Sequence, residues 1–291
     1  MPNNNITLFK QYIPLLDEVY KLASLTSVLD GAPELAKQGA NADELIIPKI
    51  SMDGLADYSR NSGYVGGDVT MTNETVKCNF DRGRMFNVDT LDNQETAGMA
   101  YGRLASEFIR TKVVPELDAF RMATYAQVSG ISTTDAAVLS TGANVIAAIR
   151  AAVNAFDEDE VPADQRYLFI TPTLIQLVDD MDTTKSKKVL ETLNVVKIPQ
   201  SRFYTKILQK DGLTSGQERG GFAKHSDGKD INFMLIHKPA LIQYQKHVSQ
   251  KIITPEQNQD SDGWKFGYRN VGIADVCENK VAGIYLHKST T

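Results

Sequence analysis

Hydrophobic side chains recur along this chain with two different periods, and the switches between them mark its elements. Residues 10–29 place Leu15 or Leu16, Val19, Leu22, Leu25 and Leu29 at helical spacing, and Asp30-Gly31 ends the run with turn chemistry. The pattern suits a first core helix or an arm laid on a neighbouring molecule, and both readings stay open. ELIIPKISM (44–52) reads as a strand whose Pro48 removes a ladder donor, which predicts an edge position or a bulge. The following DYSRNSGYVGGDV carries Gly63, Gly66 and Gly67. It lacks the GxxxxGK[ST] spacing and is not followed at once by a helix, so a hairpin tip is expected there and not a phosphate cradle.

TVKCNFDRGRMFNVD (75–89) then alternates over an unusual length. Val76, Cys78, Phe80, Arg82, Arg84, Phe86 and Val88 fall on one face, with Lys77, Asn79, Asp81, Gly83, Met85, Asn87 and Asp89 on the other. Strands usually run about 5–6 residues; this one would extend close to 50 Å at roughly 3.4 Å per residue. Paired with the Pro48 strand, it predicts a projecting two-stranded loop. A lone hairpin is marginally stable in water, so the loop is expected to lie against something else.

Residues 94–127 return to helical spacing, with Ala97, Tyr101, Leu104 and Phe108 in one stripe and Val114, Leu117 and Phe120 beyond Pro115. The proline predicts a kink or a division. After an irregular stretch around 129–142 the pattern becomes mixed: helix over 143–156, buried strand over 166–171, helix over 172–181 and buried strand over 231–237. Asp211-Gly212 and Asp227-Gly228 are turn signals. Trp264, Phe266 and Tyr268 share one strand face while Val271 and Ile273 have the opposite parity, which predicts a bulge or bend near Arg269–Asn270. VAGIYLHK (281–288) reads as a final strand.

The 291 residues suffice for a large core in one domain or two. Net charge is −5 with Lys and Arg scattered, so the concentrated basic face of a dedicated nucleic-acid binder is missing. Cys78 and Cys277 lie far apart and form no CxxC pair, which suits a reducing compartment. The N-terminus has no signal-peptide pattern, and no apolar run approaches the roughly 20 residues of a spanning helix.

Candidate chemistry is sparse. His225, His237, His247 and His287 have no HExxH spacing and no nucleophile motif near them, and read as surface or strand-end residues. The run Asp157–Glu160 has no EF-hand spacing and reads as solvated charge. Asp179, Asp180 and Asp182 form a carboxylate cluster, and Asp89 with Asp92 a DxxD pair; both leave a magnesium-dependent enzyme open as an alternative. The competing reading is structural: Asp92 and Glu95 precede a long helix, where they can cap its first amides and face its positive end. Arg82 and Arg84 are odd, because they share a strand face with Phe80 and Phe86. Each wants a carboxylate, either Asp89 or Glu95 of this chain or an acid of a neighbour.

The order of these elements, with FDRGRMFNVDTLDNQET, RTKVVPELDAFRMA, RYLFITPTLIQLV and the closing DGWKFGYRNVGIADVCENKVAGIYLHK, resembles the major capsid proteins of tailed bacteriophages. The resemblance implies the α+β fold first described for phage Hong Kong 97 (HK97-like). It implies an N-terminal arm (1–41), an extended loop (42–88), a peripheral domain with a spine helix (89–139 and 239–291) and a mixed axial domain (140–238). It also implies a structural role with no catalytic residues, metal or cofactor. Hexamers and pentamers would close into an icosahedral shell around double-stranded DNA, touched weakly and without sequence preference. The expected place is the virion capsid, assembled in the host bacterial cytoplasm without a membrane. A portal protein is an expected partner. Some relatives carry a cleaved N-terminal scaffold segment; because this chain starts at Met1 directly before the arm, a separate scaffolding protein is the expected helper. An encapsulin-like cellular nanocompartment shell is the alternative within the same fold. Arg82, Arg84, Asp89, Asp92 and Glu95 are the candidate inter-subunit or loop-junction contacts, with Gly63, Gly66 and Gly67 at the loop tip.

Overall fold

A computed structural model describes residues 24–31, 37–38, 44–91, 104, 106–136, 139–181 and 184–290. Most of the sequence pattern at 10–29, and Ala97, Tyr101, Asp92 and Glu95, lie outside them.

A five-stranded mixed sheet forms the centre, in the order β5 (Ser132–Ala136), β13 (Ile284–Ser289), β10 (Ile231–His237), β6 (Arg166–Ile170) and β7 (Asn194–Lys197). β10 is antiparallel to both neighbours, while β5 and β7 pair parallel at the two edges. RYLFI and INFMLIH read as continuous apolar runs because both faces of this sheet are covered. Leu168, Ile170, Phe233, Leu235 and Tyr285 face helices α2 (Gly142–Glu158) and α3 (Pro172–Asp179). Their partners there include Val145, Ile149 and Phe156, spaced to form one helical stripe. Phe169, Met234, Ile236, Ile284 and Leu286 face the other way, onto Met122 and Tyr125 of helix α1 (Val114–Ala126) and onto Leu29, Phe203 and Val276. The stretch expected to be irregular around 129–142 thus contains β5. β5 and β13, expected with the peripheral segments, complete the sheet of the 140–238 segment.

A second, antiparallel sheet has the order β11 (Leu241–Ile253), β12 (Gly263–Val276), β4 (Phe80–Asp89). A third holds β1 (Lys37–Gln38), β2 (Glu44–Met52) and β3 (Val69–Lys77). The single long strand expected over 75–89 is therefore two strands in two sheets. β3 pairs β2 and β4 pairs β12. The break falls at Cys78-Asn79, where the Asn79 carboxamide replaces the ladder: its nitrogen donates to the Ala274 carbonyl (2.7 Å) and its oxygen accepts from the Ala274 amide (3.1 Å). Pro48 stands opposite Asn73 in an unbroken β2–β3 register. On the other side, among the described residues, β1 reaches Leu45 and Ile46 and stops short of the proline, which there lies at an edge.

β12 stays in register with β4 throughout. The bulge expected in it lies instead on the partner strand, where β11 slips between Gln245 and His247. The change of parity in β12 has another cause: as the central strand it is buried on both faces, with Phe266 and Tyr268 on one and Val271 and Ile273 on the other. At the expected proline disturbance, the helix passes through a π-helical turn over Ile109–Val113 and resumes as α1 with Pro115 in its first turn. The wider turn absorbs the bond that proline cannot donate.

Candidate functional site

The junction between the hairpin and the helix is built from β4 outward. Arg82 and Arg84 point to the face beneath the helix, beside Phe80 and Phe86, which meet Phe120 and Phe108 at ring separations of 5.0 and 4.7 Å. Arg82 Nε donates to Glu116 Oε1 at 2.8 Å, and Nη2 donates to the Lys210 carbonyl at 2.7 Å. One guanidinium therefore ties β4, α1 and the hairpin of β8 (Ile207–Gln209) and β9 (Phe222–Lys224) together. Burial pushes the Glu116 carboxyl up, while the Arg82 charge and hydrogen bond pull it down. Arg84 is exposed and donates to the Glu218 carbonyl at 2.9 Å.

Asp89 is not the partner of either arginine: its carboxylate accepts the Leu91 amide at 2.9 Å. Asp92 and Glu95 lie outside the described residues. The sequence reading missed Glu116, whose place in the first turn after Pro115 gave no local signal. It also missed Asp81–Arg269 on the opposite face of the same strands, bidentate at 2.9 and 2.6 Å. The Arg269 hydrogen bonds hold the exposed Asp81 carboxyl below its ordinary value.

A second constellation was not foreseen. Asp118 on α1 is fully buried and accepts five hydrogen bonds: from the Ser24 hydroxyl (2.9 Å), the Leu25 amide (3.2 Å), the Thr26 amide (3.3 Å) and hydroxyl (2.7 Å), and Arg202 Nη1 (3.0 Å). Arg121 donates to the Thr26 hydroxyl at 2.9 Å and pairs with Asp30 at 3.1 Å. Gln243 donates to the Thr26 carbonyl at 2.7 Å and to Asp30 at 2.6 Å, and accepts from the Tyr125 hydroxyl at 2.6 Å. The 3₁₀ turn Thr26–Leu29 is thereby clamped onto α1 and β11. A signal did exist in the sequence: Asp118 and Arg121 interrupt the apolar positions of an otherwise buried helix.

The β2–β3 hairpin carries exposed Ile50, Met52, Leu55, Tyr64, Val65 and Met71, with Tyr64 90% exposed. Gly63 closes its tip at φ +77° through paired backbone bonds with Ser59, while Gly66 and Gly67 lie on the return toward β3. At the base Lys49 pairs with Glu74 at 3.1 Å and with Glu278.

Among the described residues no group of three or more His, Cys, Asp or Glu side chains is placed to hold a metal ion, and no helix is long and apolar enough to cross a membrane. Asp179 and Asp180 are exposed, and Asp182 lies outside the described residues. His287 is not at the surface: it is buried within β13 and stacked on Phe233 at 4.7 Å, and burial lowers its pKa. His237 ends β10 and is also buried.

No family model and no curated protein matches the sequence. Solved structures do match in fold. A chain of Mycobacterium phage Che8 aligns with a TM-score of 0.65 at 14% identity, over 99% of this chain and 98% of its own. The capsid structure of cyanophage P-SCSP1u aligns at 0.63 and 11% identity over 97% and 93%. A virus-like particle from Pyrococcus furiosus aligns at 0.53 and 11% over 90% and 97%. The chain therefore has the HK97-like capsid fold, α+β, over nearly its whole length.

Proposed function

We propose that this chain is the major capsid protein of a tailed bacteriophage, a structural protein without catalytic residues that assembles with copies of itself into hexamers and pentamers of an icosahedral shell. The observation that carries the reading is the β2–β3 hairpin, which presents a row of apolar side chains to solvent on a two-stranded element. Such an element gains stability only when a neighbour covers it. The phage-capsid fold supplies the context in which the neighbour is another copy. Arg82 and Glu116 then hold the hairpin's root at a fixed angle, and the Asp118 clamp holds residues 24–26 against α1. Packaged double-stranded DNA, a scaffolding protein and a portal protein are the further partners of this reading, with assembly in the host bacterial cytoplasm.

Expression with and without its neighbouring genes, followed by negative-stain microscopy, tests it. Closed shells or capsomers are expected; a protein that stays monomeric under every assembly condition overturns the proposal. The Pyrococcus furiosus particle keeps an encapsulin-like compartment as a second reading. Shells that package DNA separate the phage coat from a compartment whose shells enclose a co-expressed enzyme.

A further inference from the structure

Asn270 plays no part in the contacts described above. It is 1% exposed, and neither its amide nitrogen nor its carbonyl oxygen has a hydrogen-bond partner. A buried carboxamide stranded at both ends is uncommon and calls for a reason. It lines a cleft of about 1040 Å³ between the β4–β12 floor, the helix before and including α1, and the segment 210–222. The strand register puts Asn270 opposite Arg82 and Tyr268 opposite Arg84, so all four belong to the face beneath the helix.

The walls include Phe108 and Phe222, and Phe108 meets Tyr268 edge-on at 6.1 Å. The acids of the cleft are already engaged. Glu116 is held by Arg82, Glu107 by Arg110, and Asp211 by the Leu213 and Thr214 amides. Arg84, Lys112, Lys210 and Arg219 also line it and have no ion-pair partner among the described residues. The cleft therefore joins three features: a buried, unpartnered carboxamide in its floor, aromatic walls, and cations with no ion-pair partner among the described residues.

We propose that this cleft binds a nucleotide. A side-chain carboxamide with both ends free matches the paired donor and acceptor on the edge of an adenine. The aromatic walls suit a planar base, and Arg84 with Lys210 and Arg219 suits its phosphate. The volume is that of a small-molecule site. A free nucleotide and the terminal nucleotide of a single strand present the same chemistry.

Titration calorimetry of the full chain with AMP tests the assignment, with inorganic phosphate and a 5′-phosphorylated oligodeoxyadenylate as parallel probes. AMP is expected to bind one to one, with phosphate alone weaker by about tenfold or more. Arg84→Ala and Asn270→Leu are each expected to weaken AMP by about tenfold or more. Asn270→Leu removes the stranded amide at similar size, so its melting temperature should hold or rise, which separates lost binding from lost folding. Competition of the oligonucleotide with AMP assigns the strand-end source; binding of AMP without such competition assigns the free nucleotide. Absence of AMP binding at about 1 mM, equal affinity for phosphate and AMP, or unchanged AMP affinity in Asn270→Leu overturns the proposal.

Discussion

Replacing Asp118 by alanine isolates the clamp that holds the N-terminal segment. The substitution removes one carboxylate and five hydrogen bonds at once. The losses are unequal. The Ser24, Leu25 and Thr26 donors sit on a segment that can swing into water and recover partners, so each of those bonds is worth about 0.5–1.5 kcal/mol at most. Arg202 cannot escape: it is 3% exposed, and the change breaks its ion pair with Asp118. Breaking a buried ion pair from one side costs about 3–5 kcal/mol, and this sets the expected loss. Urea denaturation of the unassembled protein measures it. Hydrogen exchange gives a second, local readout: the amides of residues 25–30 should approach solvent rates while those of β10 stay protected. Asp118→Leu combined with Arg202→Met should recover much of the global stability without restoring protection at 25–30, because it removes the buried charge but does not restore the lost acceptor. A loss below about 1 kcal/mol in Asp118→Ala, or unchanged exchange over 25–30, would refute the clamp.

Four further outcomes are expected. Gly83→Ala puts a Cβ 2.8 Å from the Tyr268 carbonyl in the β4–β12 ladder, so it should destabilise by about 1–3 kcal/mol in thermal melts. Gly66→Ala meets no atom within 4 Å and should melt like the parent. Asp211 is lowered to about 2, chiefly by the Thr214 hydroxyl and then by the Thr214 and Leu213 amides. Its folded value lies below the unfolded one, so its contribution is present above about pH 4 and fades as pH falls through about 2. Carboxyl NMR should show Thr214→Val raising that value toward the ordinary aspartate range, and an unmoved titration would discard the assigned cause. Arg84→Glu changes an exposed side chain that donates to the Glu218 carbonyl, so the unassembled protein should keep its melting temperature. If the same change stops closed shells in micrographs, Arg84 acts between subunits; normal shells remove it from the assembly contacts.

Much of the fold was legible because its elements are written in local periods. The apolar runs of β6 and β10, the stripe Val145, Ile149, Phe156 of α2, and the turn signals at Asp211-Gly212 and Asp227-Gly228 each depend on neighbours within a few residues. A hairpin was legible too, from a proline-bearing strand and a glycine-rich tip, but its return is β3 and most of the alternating stretch belongs to β4.

What the tertiary structure decided are relations between distant residues. Unbroken alternation across 75–89 could not show that Asn79 trades its ladder for Ala274, 195 residues away, and so splits one strand between two sheets. Periodicity could mark Arg82 as an arginine in need of an acid, yet Glu116 became that acid only when α1 was laid across β4. Asp118 likewise acquired its donors from residues more than 80 positions away on both sides. Periodicity encodes which face of an element is buried. The partner on that face is chosen by packing, because the burial free energy rewards covered apolar area without regard to sequence distance.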